Sequence, residues 1–298
     1  MKIGFIGLGR MGLRMVSRIL EAHEVVAYDI DPDAVKRAAE IGAEPAASLR
    51  ELSIKLKGHR VVWMMVPAGV PVDSVVEELA PHLDEGDILI DGGNSFYKDS
   101  QKMAESLGSR GIQYLDVGTS GGLEGAETGA SLTIGGPFEA FKKAEPLLRS
   151  IARPGAYLYC GPSGAGHYVK MVHNGVEYAM LQSLGEGFEM LSSGPYDLDL
   201  EAVSRVWNNG CVIRSWMLEL AGRAFAKDPR LEGLRGEVGG GETGRWMVEA
   251  AMQMEVPTPV IALSLLMRYR SRQEDTFTGR VVAAIRREFG GHAVRTIE

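Results

Sequence analysis

Over the first half of the chain, short runs of consecutive apolar residues alternate with stretches whose apolar positions recur at helical spacing. The runs "KIGFIGLG" (2–9), "EVVAYD" (24–29), "RVVWMMV" (60–66), "GDILIDGG" (86–93), "IQYLDVG" (112–118) and "SLTIGG" (131–136) read as strands. Between them, "MGLRMVSRILEA" (11–22), "DPDAVKRAAEIG" (31–42) and the stretch 71–83 read as helices. The segment 31–42 is punctuated at both ends: Asp31 suits an N-cap, Pro32 the first helical position and Gly42 a stop. Near-continuous apolar strands alternating with helices predict a parallel sheet covered on both faces.

The second half follows another pattern. Strand signals stop near 164, and helical periodicity covers 165–193, 199–223, 243–254, 258–271 and 277–288. The Gly/Pro-rich stretch "RPGAYLYCGPSGAG" (153–166) marks the change, so the expected division is an α/β domain over 1–163 and an all-α domain over 164–298. No internal repeat or low-complexity segment interrupts either half.

Bulk properties narrow the function classes. The 298 residues suffice for two ordinary domains, and 45% hydrophobic with 24% charged residues is a globular composition. A net charge of −7 lacks the positive field of a nucleic-acid binder, so any anionic ligand must be held by local cations. Cys160 and Cys211 form no CxxC pair and the histidines form no HExxH pattern, so neither a disulfide framework nor a metal site is expected. Gly and Arg interrupt the apolar run at 1–22, unlike a signal peptide. No stretch approaches the roughly 20 apolar residues of a membrane span. A cytoplasmic protein without membrane or nucleic-acid partners is expected.

Gly7, Gly9 and Gly12 in "GLGRMG", with Leu8, Arg10 and Met11 between them, form GxGxxG. The motif follows a strand, opens a helix and precedes a second strand ending in Asp29, which is the context of a dinucleotide-binding turn. The first glycine permits the tight turn, the second lets backbone approach the pyrophosphate, and the third lets helix pack on strand. Asp29 can accept from the ribose hydroxyls and repels a 2′-phosphate, and no Arg follows at 30 or 31, so NAD is favoured over NADP. Two later loops fall beyond strand ends: "VPAG" (66–69), with Val66, Pro67 and Ala68, and "DGGNS" (91–95). Each can be a simple turn; Asn94, with its versatile amide, is the better candidate for a ligand contact.

In "AGHYVKMVHNGVEY" (165–178), Lys170, His173, Asn174 and Glu177 share one helical face. A polar stripe is usually just a solvated face. Yet His and Asn are poor helix formers, Gly175 adds a cost of roughly 1 kcal/mol, and Val172, Val176 and Ala179 make the other side apolar. A dinucleotide domain upstream gives the stripe a use. Hydride loss from an alcohol needs a group that takes the hydroxyl proton, and Lys170 can do so only when neutral, which burial or nearby cations would have to arrange. Glu177 lies about 10 Å further along the helix, a spacing that suits an acid acting at another carbon of a short substrate. His173 and Asn174 between them can hold hydroxyls. In "GTSGG" (118–122), the small residues can present backbone N–H groups to a carboxylate.

Together, "GLGRMG", "DGGNS", "SGGLEGA", "GAGHYVKMVHNGVEY", "NNGCVIRS", "GETGRW" and "FGGH" occur in the order seen in the 6-phosphogluconate dehydrogenases, within the wider β-hydroxyacid dehydrogenases, and the chain resembles that family over nearly its whole length. "KMVHNGVEY" is the specific segment: the wider superfamily shares the Lys and the Asn four residues on, but not the His–Asn and Glu–Tyr pairs. The resemblance implies a Rossmann-type domain plus one helical domain, as in the short bacterial form. It implies oxidative decarboxylation of 6-phosphogluconate to ribulose 5-phosphate without a metal. Lys170 would take the 3-hydroxyl proton and then, as an ammonium, polarise the 3-keto group; Glu177 would protonate C1 of the enediol. Ser120, Gly121 and Gly122 would hold the departing carboxylate, and Asn94, His173 and Asn174 would contact substrate hydroxyls.

The resemblance further implies that Tyr178, Thr243, Arg268, Arg286 and His292 hold the phosphate. The last two would reach a neighbouring subunit's site, which implies a homodimer or homotetramer. On the bare sequence, Arg286 and His292 also suit a helix C-terminus. One departure concerns this phosphate: where long members carry a phosphate-binding Lys just before the "TG" turn, Gly241 stands here, with Arg245 or Arg235 as candidate substitutes. A competing enzyme reading is a short-chain β-hydroxyacid dehydrogenase acting on 3-hydroxyisobutyrate or tartronate semialdehyde, which needs neither Glu177 nor the phosphate set. A non-enzymatic nucleotide sensor on the same fold predicts a broken Lys170–Glu177 stripe, and the stripe is intact.

Overall fold

The computed structural model describes residues 1–290 with Ala293 and Arg295. By contact density the chain divides into a unit over Met1–Asn174 and a second beginning at Gly175. In the first unit, strands β1 (Lys2–Ile6), β2 (Glu24–Tyr28), β3 (Glu44–Pro45), β4 (Val61–Met64), β5 (Ile88–Asp91), β6 (Gln113–Ser120), β7 (Ala130–Gly135) and β8 (Ala152–Gly161) form one sheet of order β3-β2-β1-β4-β5-β6-β7-β8. Helices α1 (Arg10–Ile19), α2 (Pro32–Glu40), α3 (Leu49–Lys55), α4 (Val70–Leu79), α5 (Tyr97–Gly108), α6 (Gly122–Thr128) and α7 (Phe138–Ile151) connect the strands.

Strand alternation sorts the apolar runs into two cores. Phe5, Trp63, Ile90 and Val117 pack with Met15 and Ile19 of α1 and Leu147 of α7. Their neighbours Ile6, Met64, Leu89 and Tyr114 pack with Leu52 of α3, Leu79 of α4 and Leu107 of α5. A strand buried on both faces has no polar side, which is why these runs show no alternation. The caps of α2 are as expected: the Asp31 side chain accepts from the Asp33 amide, Pro32 opens the helix, and Gly42 follows at φ 105°.

The sheet departs from the expected all-parallel arrangement at one pair. β6 and β7 are antiparallel, with Val117 opposite Ile134, whereas β7 and β8 are parallel. Only Gly121, the seven-residue α6 and Gly129 lie between β6 and β7, too little chain for a crossover of a dozen residues. β8 itself falls in the Gly/Pro-rich stretch, where strand signals had faded. It is an edge strand with exposed Arg153, Pro154 and Gly155, so it carries no continuous apolar run.

Helix α8 (Ala165–Ser192) starts in the first unit and runs into the second. The second unit continues with α9 (Leu200–Asn208), α10 (Trp216–Phe225), α11 (Glu242–Gln253), α12 (Pro259–Arg270) and α13 (Phe277–Gly290). The expected helix over 199–223 is thus two helices. The Asn208 side chain accepts from the Ser215 amide at 2.9 Å, and the Ser215 hydroxyl accepts from the Leu218 amide at 3.3 Å to cap α10. These local bonds compete with helix continuation, and Gly210 at φ 92° completes the break. Phe188, Leu200, Leu218 and Phe225 form a small core. Among the described residues, no helix is long and apolar enough to cross a membrane.

The half-buried Glu145 of α7 accepts from Lys142 at 2.6 Å and from the Tyr157 hydroxyl of β8 at 2.8 Å. These bonds, led by that of Lys142, pull its carboxyl down to about 2. A depressed carboxylate stabilises the fold above its unfolded pKa, and the contribution is lost as pH falls toward the folded value. The Glu145→Gln variant is therefore expected to melt below the wild type at neutral pH, with the gap narrowing as the melts are repeated toward pH 2. A gap independent of pH would remove the charge from this explanation.

Candidate active site

The glycine turn between β1 and α1 has the geometry its sequence demands. Gly7 sits at φ 94°, and a Cβ there would lie 2.4 Å from the Met65 carbonyl oxygen. A Cβ on Gly12 would lie 1.9 Å from the Gly7 carbonyl oxygen, so helix and turn meet backbone to backbone. Gly9 differs: a Cβ there would meet nothing within 4 Å, leaving open space over the turn at the start of α1. Asp29, at the end of β2, accepts the Leu8 amide at 2.5 Å through one oxygen and the Asp31 amide at 2.8 Å through the other. The residue expected to meet a ribose thus also holds the glycine turn in place. Arg10 is exposed, and Met11 is half-buried against the core.

The two later loops lie side by side. A Cβ on Gly93 would be 2.3 Å from the Val66 carbonyl oxygen. Pro67 is exposed, and Ala68 is half-buried. Asn94 adopts φ 59°, a left-handed conformation that Asn tolerates. Its amide pairs with the backbone of Thr119, accepting from the Thr119 N–H at 3.0 Å and donating to the Thr119 carbonyl at 3.3 Å. Asn94 therefore fixes the end of β6, directly before Ser120.

At that end the structure brings together four residues of the stripe and loop. Lys170 is only 8% exposed; its Nζ lies 2.6 Å from the Ser120 hydroxyl and 3.3 Å from His173 Nδ1. His173 Nδ1 in turn lies 3.1 Å from Asn174 Oδ1. Gly121 and Gly122 follow Ser120 with φ of 117° and 59°, at the start of α6. Close approach of α8 is possible because of two further glycines. A Cβ on Gly118 would be 2.4 Å from the Lys170 Cβ, and one on Gly166 would be 2.3 Å from the Asp116 carbonyl oxygen.

A buried polar network anchors the first turn of α8, and sequence reasoning did not single it out. Asp116 accepts the Gly164 amide at 2.7 Å and the His167 amide at 2.8 Å, so a carboxylate sits at the positive end of the helix. His167 Nδ1 lies 2.7 Å from the Ser100 hydroxyl. Burial pushes the Asp116 carboxyl up, against the pull of His167 and of the two amides. The available signals were an Asp inside the apolar run "YLDVG" and a His one turn before Lys170.

The apolar side of α8 is not simply its buried side. Met171, Gly175 and Tyr178 are buried, whereas Val176 is 46% exposed. Gly175 has a packing reason: a Cβ there would be 2.8 Å from Met247 of α11. His173 is exposed, and Asn174 and Glu177 are half-buried. Glu177 lies seven residues beyond Lys170 on the same helix.

In the second unit, Tyr178, Thr243 and Arg268 converge. The Tyr178 hydroxyl is 3.3 Å from the Thr243 hydroxyl, and the Arg268 guanidinium stacks 3.6 Å above the Tyr178 ring. A Cβ on Gly244 would be 2.4 Å from that ring, so this glycine lets α11 close on Tyr178. Arg286 stands exposed on α13, and His292 lies outside the described residues. Arg245 and Arg235, the candidate substitutes for a cation at 241, face Glu249 and Glu237, each at 3.6 Å.

Residues 2–161 match the family described as the NAD binding domain of 6-phosphogluconate dehydrogenase, and residues 166–195 match the 6-phosphogluconate dehydrogenase C-terminal domain. The Bacillus subtilis protein YqeC is 49% identical over 294 residues, which are 98% of this chain and 99% of that one. The NAD(+)-dependent, decarboxylating 6-phosphogluconate dehydrogenase of Haloferax volcanii is 50% identical over 297 residues, 99% of this chain and 98% of its own. The solved structure of Plasmodium falciparum 6-phosphogluconate dehydrogenase superposes with a TM-score of 0.83 at 28% identity, covering 100% of this chain and 67% of that one.

Proposed function

Since the chain belongs to the 6-phosphogluconate dehydrogenase family, we propose that it oxidises 6-phospho-D-gluconate with NAD and releases carbon dioxide, yielding D-ribulose 5-phosphate. The observation that carries this reading is the buried Lys170, its Nζ 2.6 Å from Ser120 and beside His173, at the start of the helix that bears Glu177. A simple solvated stripe would leave that ammonium in water.

The residues fit a dinucleotide. The open space over Gly9 takes the approach of a pyrophosphate to the α1 N-terminus, and Asp29 offers acceptors for ribose hydroxyls. When bound, NAD supplies the hydride acceptor for C3. Lys170, in its neutral form, takes the proton of the C3 hydroxyl. As an ammonium it then stabilises the oxyanion that develops on the C3 oxygen while the C1 carboxylate leaves. Ser120 and the amides of Gly121 and Gly122 hold that carboxylate beforehand, and His173, Asn174 and Asn94 orient the substrate hydroxyls. Glu177 returns a proton to C1 of the enediol. Tyr178, Thr243 and Arg268 hold the phosphate, and Arg286 and His292 complete that grip from a neighbouring subunit.

A homodimer or homotetramer is part of the same reading; exposed Leu263 and Leu266 on α12 and Phe277 and Ile285 on α13 offer it apolar surface. We place the functional boundary near 163, between an NAD-binding domain (1–163) and a substrate-binding helical domain (164–298), and the enzyme in the cytoplasm. The family matches, ending at 161 and resuming at 166, support that boundary.

The test is formation of reduced cofactor from 6-phosphogluconate with NAD and with NADP in parallel. Faster reduction of NAD supports the reading. Silence with 6-phosphogluconate and turnover of 3-hydroxyisobutyrate would move the chain to the competing enzyme class. For Asp29→Ala, the ratio of kcat/KM with NAD to that with NADP is expected to fall at least about tenfold, because the variant loses both the ribose acceptor and the charge that repels a 2′-phosphate. NAD should suffer in its own right, since the bond to Leu8 goes too. An unchanged ratio would take Asp29 out of cofactor choice.

A further inference from the structure

Two arginines from the end of α12, four residues apart, converge on the loop that leads into α11. Arg268 donates to the Gly239 carbonyl at 3.2 Å through Nη1 while stacking on Tyr178. Arg272, just beyond the helix, donates to the Val238 carbonyl at 2.9 Å through Nε and to the Gly240 carbonyl through Nη2. Three successive carbonyls of one glycine-rich loop are therefore tied to two guanidinium groups. Among the described residues, Arg272 Nη1 carries no protein acceptor.

The loop they hold opens α11 with no side-chain cap among the described residues: Gly241, which has no side chain to offer, stands at the N-cap with φ 128°. That φ strains any residue with a Cβ. A Cβ built there would lie 3.2 Å from the Tyr269 ring and 3.9 Å from Arg272 Nη2. Position 241 thus carries no cation of its own, and the guanidinium of Arg272 comes within 4 Å of where a Cβ at 241 would stand. Arg245 and Arg235 are each turned to a glutamate. In a chain of net charge −7, a dianion needs local positive charge, and of the phosphate-binding set proposed above Arg268 is the cation that the same subunit supplies.

We propose that Arg272 is a second phosphate-binding cation of the substrate site, standing in through space for the side chain that Gly241 lacks, beside Arg268, Thr243, Tyr178 and the α11 N-terminus. The inference rests on the reading of the substrate as phosphorylated. A planar guanidinium fixed by two carbonyls keeps one edge oriented and so loses little freedom on meeting a phosphate oxygen.

The test uses the full-length protein and compares wild type, Arg272→Met and Arg272→Lys. Dissociation constants are measured for 6-phosphogluconate and gluconate, with inorganic phosphate as competitor, together with KM and kcat for 6-phosphogluconate. Arg272→Met is expected to weaken 6-phosphogluconate and inorganic phosphate by about 10- to 100-fold, to raise KM far more than it lowers kcat, and to weaken gluconate much less. Arg272→Lys should recover most of the loss, since it restores the charge though not the fork. If Met and Lys variants weaken 6-phosphogluconate and gluconate alike, Arg272 only braces the loop and the inference fails while the substrate reading stands. If the wild type itself binds gluconate as tightly as 6-phosphogluconate, the substrate reading fails and takes the inference with it.

Discussion

Replacing Lys170 with methionine is expected to lower kcat by about 10⁴-fold while leaving NAD affinity within about threefold. The size follows from the two duties assigned to one nitrogen. As a base it is worth roughly 10²- to 10⁴-fold, and as the cation facing a developing oxyanion a further 10²- to 10³-fold. Such effects overlap rather than multiply when a single group is removed. Methionine suits the experiment because Lys170 is 8% exposed and its stem lies against Gly118, so an apolar chain of similar length keeps the packing. Stopped-flow absorbance for turnover and cofactor titration for binding separate the two quantities. A variant that keeps more than about a tenth of wild-type kcat would remove Lys170 from the proton transfer, since no base of the stated strength is worth so little.

Gly12→Ala should be the most damaging single-methyl change in the cofactor domain. The new Cβ would lie 1.9 Å from the Gly7 carbonyl oxygen and 3.2 Å from the Phe5 ring. The first clash is with backbone, so no side-chain rotation relieves it, and α1 must move away from the turn. Overpacking of this kind costs about 1–3 kcal/mol or more. The displaced helix N-terminus also leaves the pyrophosphate, so NAD affinity is expected to fall by about 100-fold. Gly9→Ala is the informative contrast. Its Cβ meets nothing within 4 Å, so the melting temperature should hold while NAD binding weakens through lost approach of the cofactor. Equal destabilisation by both substitutions, or full NAD affinity in Gly9→Ala, would contradict the assignment of open space over Gly9 to the cofactor.

What could be read from the sequence was local. The glycine turn, Asp29, and the Asp31–Pro32–Gly42 punctuation of α2 each depend on a few adjacent residues, so their geometry was legible before any fold was known. The two-part architecture followed from period, because doubly buried strands and amphipathic helices leave different apolar patterns. What escaped depended on distant partners. The antiparallel β6–β7 pair is set by a short link whose helix carries little apolar signal, and β8 is an edge whose neighbours, not its own composition, make it a strand. Which side of α8 is buried could not be read from its hydrophobicity: Val176 is exposed, while Lys170 lies against β6 because Gly118 and Gly166 let the helix close in. The pairing of Asp116 with the α8 amides joins residues 48 and 51 positions apart, and no local pattern announces it. Asn94 was singled out for its amide, and its grip on Thr119 gives that amide a structural task beside any contact with a ligand.

The central claim is that oxidation at C3 and loss of the C1 carboxylate occur in one site built around Lys170. Its most direct test is the amount of carbon dioxide released against the amount of NADH formed from 6-phosphogluconate, with a metal chelator present throughout. Equal amounts, with a rate unaffected by the chelator, are expected. Formation of NADH without carbon dioxide, or activity restored only by added metal, would contradict it.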